Sequence, residues 1–311
     1  MDDTASTLNL ARIDSPEAAH SLKSITHVYT DLDGTLFAPG GRLLTNHAGA
    51  PSTATAEALT ALRRAGIEVI IVTGRAGQGG NELLRLLALN TFIGEMGAFV
   101  QEGTGAAAQT RYELGSWAGI VLAEGLKPGE LPKNTTPRDL IVQSGVITRL
   151  EAAFPGRLCE FRPYPSSVST PMMGYIDENA ARKLLAEEQL PLQLLDNGII
   201  HPQKHALVDC AEIHIYHLLP QGSSKAAAVS ADIARRGLKR EQTLAIGDSL
   251  GDVAMGEAAG TLVVVQNATH SAWTARALAE RIQQNSPTFI TEGSTADGWS
   301  EFASALLAAQ G

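Results

Sequence analysis

The strongest constraint on the fold is an alternation of strand and helix patterns that appears on both sides of a differently patterned middle segment. The clearest strand is 67–72, a mostly apolar, β-branched run typical of a strand buried on both faces of a parallel sheet. The spacing is that of βαβ units, so we predict an α/β fold with a doubly wound parallel sheet. The predicted segments are strands 25–30, 67–72, 92–94, 243–246 and 261–265, and helices 52–64, 81–89, 223–236, 252–258 and 271–283. Ser52 and Ser223 are the expected helix caps.

The middle of the chain is broken up by proline. Residues 97–218 contain nine of the 14 prolines, which favours short elements. We therefore predict an inserted α+β domain with its own antiparallel sheet, built from strands 158–161, 192–195, 206–208 and 213–216 and helices 138–153 and 177–189. The predicted organisation is a loose N-terminal extension or peripheral helix over 1–24, one split domain over 25–96 and 219–311, and an insert over 97–218.

The charge balance limits the partners. The chain has 24 Lys and Arg against 33 Asp and Glu, a net charge of −9. Binding to nucleic acid or to an anionic membrane needs a basic face, so we expect neither partner. An anionic small molecule stays possible, because a metal ion and one or two cations can reverse the field inside a cleft. The chain begins with acidic residues and has no apolar run of membrane-spanning length, and Cys159 and Cys210 form no CxxC pair, so we expect a cytoplasmic protein.

Four short segments carry chemically useful side chains at the ends of predicted strands or at the start of a helix. Asp31 and Asp33 end one strand, Thr73 ends a second, and Asp248 ends a third, with Asp252 four residues further on. Lys225 lies at the start of a helix. In an open parallel sheet, ligands bind beyond the carboxyl ends of the strands, so we expect these groups to converge.

Crowded carboxylates of this kind point to a hard divalent cation. Oxygen ligands in small number, with room for water and phosphate, favour Mg²⁺ over Zn²⁺. Gly34 lets the chain turn directly after Asp33, so Asp31 and Asp33 can be aimed differently. One carboxylate can then bind metal and attack phosphorus while the other acts as acid and base. Thr73 and the Gly74 N–H can bind phosphoryl oxygens, and Lys225 can neutralise their charge.

The four segments together resemble the motifs of the haloacid dehalogenase-like (HAD) phosphohydrolases. The resemblance covers about 25–96 and 219–300, and it rests on Asp31-Leu-Asp33-Gly-Thr-Leu, Thr73-Gly-Arg, Lys225 and Gly247-Asp248-Ser-Leu-Gly-Asp252. The position of the insert resembles the C2-type cap of Cof-type, sucrose-phosphate and mannosylphosphoglycerate phosphatases. The run Glu95-Met96-Gly97-Ala98 is similar to the element that opens such caps, and the segment 219–225 is similar to the one that closes them.

The resemblance implies a Rossmann-like core and a phosphoaspartate mechanism. Asp31 would be the nucleophile, and Asp33 would protonate the leaving alcohol and then activate water. Mg²⁺ would be held by Asp31, the Asp33 carbonyl and Asp248, with Asp252 in support. The remaining expected site residues bind the phosphoryl group or the substrate: Thr73, Lys225, Gly34, Thr35, Gly74 and Arg75. Two positions depart from the family pattern, since Gly251 and Met96 each stand where relatives usually have Asn.

The resemblance also implies where the substrate is selected. The core binds the phosphoryl group of every phosphate ester in the same way, so the insert must recognise the leaving group of the substrate. Its polar candidates are Arg111, Arg138, Arg157, Arg162, His201, Lys204, His205, His214 and His217. The leading hypothesis is a Mg²⁺-dependent phosphomonoesterase acting on a sugar phosphate or a phosphoglycerate-type acid. The alternatives are a phosphohexomutase and a catalytically silent protein that binds a metal or ligand.

Overall fold

The structure is a computed structural model that describes residues 8–162, 164–200, 202, 205–208 and 210–311. The chain divides into two compact units. Unit 1 is drawn from Met1–Thr73 and Lys225–Gly311, and unit 2 is Gly74–Ser224. The domain boundaries given above, with an insert over 97–218, stay a prediction.

The elements follow one another in the order expected of an α/β chain with an insertion. The strands are β1 (Ala11–Arg12), β2 (His27–Thr30), β3 (Glu68–Val72), β4 (Thr91–Gly94), β5 (Phe99–Glu102), β6 (Gln109–Tyr112), β7 (Leu158–Glu160), β8 (Thr170–Gly174), β9 (Leu192–Ile199), β10 (His214–Pro220), β11 (Thr243–Gly247), β12 (Thr261–Val264) and β13 (Thr288–Ile290). The α-helices are α1 (Pro16–Leu22), α2 (Ala54–Arg64), α3 (Gly80–Leu87), α4 (Pro137–Gln143), α5 (Val146–Ala153), α6 (Glu178–Leu185), α7 (Lys225–Arg236), α8 (Leu250–Ala258), α9 (Ala272–Gln283) and α10 (Thr295–Gln310).

The sheet of unit 1 is parallel throughout. Its described strands lie in the order β1, β13, β12, β11, β2, β3. The chain moves from β2 to β3 in one direction and from β11 through β12 to β13 in the other, so the direction of winding changes beside β2. Side chains of the central strands, such as Val28, Ile70, Leu244 and Val263, are fully buried, as strands covered on both faces require. The predicted doubly wound α/β fold is confirmed.

The N-terminal segment belongs to this sheet. Ala11 and Arg12 pair in parallel with Phe289 and Ile290 of β13. Helix α1 follows, with the Ser15 hydroxyl accepting from an N–H of its first turn. The expectation for this segment was a loose extension or a peripheral helix. A helix is present, but the expectation misses a strand of two residues whose partner lies almost the whole chain away, a pairing that local pattern cannot reveal.

Unit 2 contains two groups of antiparallel strands. One joins β4, β5 and β6, and the other has the order β7, β8, β10, β9. The second sheet packs with helices around an apolar cluster whose most buried members include Trp117, Ile141, Leu150 and Leu218. The proline-rich sequence of the insert predicted an antiparallel sheet, and this sheet is present.

Three local predictions in this part of the chain are wrong. Residues 206–208 form no strand. The helix predicted over 138–153 is two helices, α4 and α5, because Gly145 between them adopts a left-handed conformation with φ +74°. Ser223 does not cap α7, which begins at Lys225, since the Ser223 hydroxyl donates to the Glu113 carbonyl instead.

A buried carboxylate organises one corner of unit 2. Glu95 is fully buried, and its oxygens accept from the main-chain N–H groups of Gly77, Ser167, Val168 and Ser169 at 2.7–3.1 Å. Glu95 and the following Met96 both have left-handed φ, +52° and +59°. Such backbone strain persists only where the surroundings hold it, and the four N–H donors supply that hold.

Candidate functional site

The parallel sheet brings three of the predicted motifs to one edge. Asp31 directly follows β2, and Asp248 directly follows β11, the strand paired with β2. Thr73 directly follows β3, which is paired with β2 on its other side. All three strands run the same way, so their carboxyl ends lie together, beside the change in winding direction where open α/β sheets bind ligands.

The centre of the site is a buried ammonium group between two carboxylates. Lys225, the first residue of α7, donates from Nζ to Asp31 Oδ1 at 2.7 Å and to Asp252 Oδ1 at 2.8 Å. The three residues are 3%, 5% and 0% exposed. Buried charges are tolerated when they are paired and hydrogen-bonded, and this arrangement meets both conditions.

Asp252 fixes the loop that carries Asp248. Its second oxygen, Oδ2, accepts from the N–H groups of Asp248 and Ser249 and from the Ser249 hydroxyl. Both Asp252 oxygens are thus engaged by protein donors. Asp252 accepts four hydrogen bonds, one of them from the Lys225 ammonium, whereas Asp248 accepts one at each oxygen. The place of Asp252 therefore fits support of the loop and of Lys225 better than direct ligation of a metal.

Asp248 is held from two other directions. Its Oδ1 accepts from the Thr35 hydroxyl at 3.0 Å, and its Oδ2 accepts from Asn267 Nδ2 at 2.9 Å. One carboxylate oxygen from each of Asp31, Asp248 and Asp252 lies within 4.8 Å of the others. Oxygen donors this close, all from acidic groups, fit a hard cation such as Mg²⁺.

The electrostatics of the site favour added positive charge. Burial raises the pKa of Asp31 well above its usual range, and the carboxylates of Asp252 and Asp248 raise it further, against the opposing effect of Lys225. Burial, followed by the charge of Asp252, raises the pKa of Asp248 to about 7. Both carboxylates are therefore costly to ionise in the protein alone, and a divalent cation would offset that cost.

Replacing Asp248 with Asn is expected to stabilise the Mg²⁺-free protein at pH 8. The folded-state pKa of Asp248 lies above its value of 3.8 in the unfolded chain, so its ionisation removes stability as the pH rises through about 7. The Tm should rise by at least about 3 °C at pH 8, because each pKa unit is worth about 1.4 kcal/mol and 1 kcal/mol moves the Tm by about 2–4 °C.

Thermal unfolding in EDTA at pH 8 and pH 5 measures this effect. The gain should shrink at pH 5, where Asp248 is already protonated, and Asp14→Asn, at an exposed position, should show neither change. An equal gain at both pH values would contradict this account of Asp248.

Two further predicted core residues, Asp33 and Thr73, follow strands β2 and β3. Asp33 is exposed and Thr73 is buried. Gly74 and Arg75 belong to unit 2. There, a Cβ placed on Gly74 would lie 2.6 Å from Asn197 Nδ2, 3.3 Å from Met96 Sδ and 3.4 Å from His217 Nε2.

Most of the polar candidates of the insert are engaged in ion pairs or hydrogen bonds. Arg111 binds Glu102 and Glu113, and both Arg138 and Arg162 bind Glu160. Two of the nine candidates, His201 and Lys204, lie outside the described residues. The others are His205, which is exposed, Arg157, which lies over the Tyr175 ring, His217, which is buried beside Ser169, and His214.

His214 is held between two carboxylates. Its Nδ1 lies 2.6 Å from Asp196 Oδ2 and its Nε2 lies 3.2 Å from Glu212 Oε1, while its ring stacks on Tyr216. Burial opposes the charged imidazolium, but the carboxylates of Glu212 and Asp196, the latter hydrogen-bonded to Nδ1, outweigh burial and raise its pKa. We therefore expect His214→Gln to lower the Tm more at pH 5.5 than at pH 9.

The reason for this pH dependence is that a raised histidine pKa adds stability below the unfolded-state pKa of about 6.5 and loses it as the pH rises through the folded-state value. Thermal unfolding at the two pH values checks it, with the exposed His270 replaced by Gln as the control. A His214→Gln loss that is equal at pH 5.5 and 9 would show that the imidazolium contributes nothing.

Asn267 is the functional residue that the sequence analysis missed. It comes three residues after β12, at the same edge of the sheet as Asp248, and its amide contacts that carboxylate directly. The rule that gathered the acidic residues, namely position beyond a strand's carboxyl end, applies to Asn267 as well. The sequence does not single out Asn267, because an isolated amide side chain has no charge and belongs to no motif.

No helix in the described part of the chain combines the length and the apolar character needed to cross a bilayer.

The chain is similar to known proteins over most of its length. A phosphoglycolate phosphatase of Methanoculleus marisnigri is 26% identical over 243 residues, which cover 77% of this chain and 83% of that protein. The sucrose-phosphatase of Synechocystis sp. PCC6803 superposes with a TM-score of 0.55 at 17% identity, covering 91% of this chain and 98% of that one. The phosphatase BT1666 of Bacteroides thetaiotaomicron gives a TM-score of 0.56 at 19% identity, covering 92% and 96%.

A match to a protein-family model includes the residues of the candidate site. The model of the haloacid dehalogenase-like hydrolases matches residues 28–112 and 199–279, more than half of the chain. These ranges include Asp31, Thr73, Lys225, Asp248 and Asp252, the residues on which the resemblance in the sequence rests. The chain therefore belongs to the haloacid dehalogenase-like hydrolase family.

Proposed function

We propose that this hydrolase is a Mg²⁺-dependent phosphomonoesterase that acts on a small phosphorylated metabolite through a phosphoaspartate on Asp31. The observation that carries the proposal is the Lys225 ammonium held between Asp31 and Asp252, with Asp248 beside them. This constellation supports the proposal, because at one strand edge it would combine a nucleophilic carboxylate, a cation for phosphoryl oxygens and oxygen ligands for a hard metal.

The residues that would hold Mg²⁺ are Asp31, the Asp33 carbonyl and Asp248. The crowding of acidic groups and the raised pKa values of Asp31 and Asp248 support this assignment, because both features are relieved by a cation. When bound, Mg²⁺ supplies positive charge to the phosphoryl oxygens and screens the nucleophile from them.

The first half-reaction transfers the phosphoryl group to the protein. An oxygen of Asp31 attacks phosphorus, the bond from phosphorus to the ester oxygen breaks, and Asp33 gives its proton to the departing alcohol. Lys225 and the Thr73 hydroxyl, with the Gly74 N–H, bind the phosphoryl oxygens, on which negative charge is spread in the transition state.

The second half-reaction restores the protein. Asp33, now a carboxylate, takes a proton from water as that water attacks the phosphorus of phosphoaspartate. Inorganic phosphate leaves, Asp31 is regenerated as a carboxylate, and Asp33 is protonated again, now with a proton from water. Protons and bonds balance over the two steps, with water as the one co-reactant.

The substrate that we propose is a sugar phosphate or a short phosphorylated acid of the phosphoglycerate type. The relatives named phosphoglycolate phosphatase and sucrose-phosphatase support these two classes. We propose that the inserted segment selects the leaving group, that Gly34, Thr35, Gly74 and Arg75 take part in binding the substrate, and that the protein works in the cytoplasm, where such metabolites occur.

The test is phosphate release from a panel of phosphorylated metabolites by the purified chain. The panel contains p-nitrophenyl phosphate, phosphoglycolate, phosphoglycerates, hexose phosphates and sucrose phosphate, each with Mg²⁺ and with EDTA. Mg²⁺-dependent release from at least one compound is the expected result. No release from any of them would refute the proposal, and conversion of hexose 1-phosphate to 6-phosphate without release would identify a mutase instead.

Replacing Gly34 with Ala should damage this activity severely. Gly34 has φ +85°, and a Cβ there would lie 2.5 Å from Asp248 Oδ2, so the carboxylate must move. A displacement of about 1 Å in a reacting constellation can cost 100-fold, and we expect a loss of at least about that size in kcat/KM.

The matched control for this variant is Gly237→Ala. Gly237 also has a left-handed φ, +65°, but a Cβ there would meet nothing within 4 Å. Both variants carry the same kind of backbone strain, so the Tm of both should fall, whereas kcat/KM should fall in Gly34→Ala alone. Equal kcat/KM in the Gly34→Ala and Gly237→Ala variants would mean that contact of the added Cβ with Asp248 does not affect activity.

A further inference from the structure

The Asn267 side chain joins two parts of the site that are far apart in sequence. Its Nδ2 group donates to Asp248 Oδ2 at 2.9 Å and to the Gly34 carbonyl at 3.0 Å. Asp248 Oδ1 is already bound by the Thr35 hydroxyl. Both oxygens of the Asp248 carboxylate therefore accept a hydrogen bond, and the Asn267 amide fixes the plane of that carboxylate.

The orientation of this amide is itself fixed. Asn267 Oδ1 accepts from the main-chain N–H of Thr295 at 2.8 Å. A reversed amide would set its oxygen against two acceptors and its NH₂ against a donor, losing all three hydrogen bonds. The Thr295 N–H thus determines that a donor, and not an acceptor, faces Asp248.

Thr295 has an unusual conformation for its residue type. It is a β-branched residue with φ +50°, it is 5% exposed, and it begins α10. A β-branched side chain rarely adopts positive φ, and such outliers occur where the surrounding structure holds them for a purpose. Its hydroxyl lies 3.3 Å from His47 Nδ1, and the His47 N–H donates to Asp297 Oδ2, so the loop around His47 braces the same turn.

We propose that Asn267 is a positioning residue that holds the Asp248 carboxylate ready for the cation, and that the main-chain N–H of Thr295 fixes Asn267 in the required orientation. This inference rests on the proposed role of Asp248 as a Mg²⁺ ligand. Partners that orient a metal ligand through hydrogen bonds change metal affinity by about 10–100-fold when they are removed. Asn267 would therefore influence the metal site through Asp248, without being a metal ligand itself.

The test is Mg²⁺ binding measured by calorimetry on the full chain without substrate. Asn267→Ala should raise the Kd for Mg²⁺ about 10–100-fold. Gln266→Ala removes an amide side chain one residue earlier, also half-buried, and should leave the Kd unchanged. At saturating Mg²⁺ the kcat of Asn267→Ala should return to within a few-fold of the wild type, a recovery that a misfolded core would not show.

The outcomes separate this inference from the proposed function. If wild-type protein binds no Mg²⁺, the proposed function fails. If the wild type binds Mg²⁺ and Asn267→Ala binds it equally well, the positioning role is wrong. Should Asn267→Ala be too unstable to purify, Asn267→Ser, which keeps a short polar side chain but cannot reach Asp248 and Thr295 together, takes its place with the same expected increase in Kd.

Thr295→Asn examines the second half of the proposal. Asn tolerates positive φ and keeps the main-chain N–H that binds Asn267, so the Tm should not fall and the Kd for Mg²⁺ should stay within about twofold of the wild type. A Kd raised as far as in Asn267→Ala would show that the Thr295 hydroxyl, not its N–H, controls the site, and would overturn the assignment of the orienting contact.

Discussion

Replacing Asp31 with Asn is expected to lower Mg²⁺-dependent phosphate release by at least roughly 10⁴-fold, as loss of a covalent nucleophile does elsewhere. An amide has no negative oxygen with which to attack phosphorus, while its size matches that of the carboxylate. The amide oxygen of the introduced asparagine can still accept from Lys225 Nζ, which now binds Asp31 Oδ1 at 2.7 Å. The fold should therefore persist without activity.

Stability distinguishes lost chemistry from lost structure in this variant. The pKa of Asp31 is raised mainly by burial, so its charge is unfavourable to folding at neutral pH. The Tm of Asp31→Asn in EDTA should be equal to or higher than that of the wild type. Asp14→Asn, at an exposed position, serves as the activity control. More than about 1% residual activity in Asp31→Asn would contradict the phosphoaspartate mechanism.

Replacing Lys225 with Met is expected to give the largest loss of stability. It leaves the carboxylates of Asp31 and Asp252 buried without their shared cation, and removing one partner of a buried ion pair costs about 3–5 kcal/mol. Phosphate release should also fall by roughly 10²–10³-fold, because a charge that stabilises the transition state is gone.

Denaturant unfolding in EDTA measures this loss. It should be greatest at pH 8 and smaller near pH 4, because the pKa of Asp31 is raised mainly by burial and its carboxyl group takes up a proton more readily than usual. Lys183→Met, on the exposed face of α6, removes a lysine that no buried carboxylate needs and should change the free energy of unfolding by less than about 0.5 kcal/mol. A Lys225→Met protein as stable as Lys183→Met would show that the two carboxylates do not depend on the ammonium group.

Three members of the site could be predicted because their positions follow from one geometric rule. Asp31, Asp248 and Thr73 each come directly after a strand, and neighbouring parallel strands present these ends together. The strands themselves were visible as β-branched runs. Sequence pattern alone therefore located the edge of the sheet at which the ligand is expected to bind.

The contacts that orient the site could not be predicted in the same way. The link from Thr295 through Asn267 to Asp248 depends on the main-chain direction at one residue with positive φ, in a helix that the sequence analysis did not identify. Similarly, β1 is only two residues long and exists because β13 is beside it. Features of this kind come from tertiary pairing and leave no local pattern.

The fourfold acceptor role of Glu95 has a consequence for how this protein can change over evolutionary time. The Glu95 carboxylate binds the main-chain N–H groups of both Gly77 and residues 167–169. An insertion or deletion within the 167–169 loop would therefore separate this carboxylate from several donors at once. Side chains along this loop should therefore vary among descendants of this protein, while the length of the loop and Glu95 stay constant.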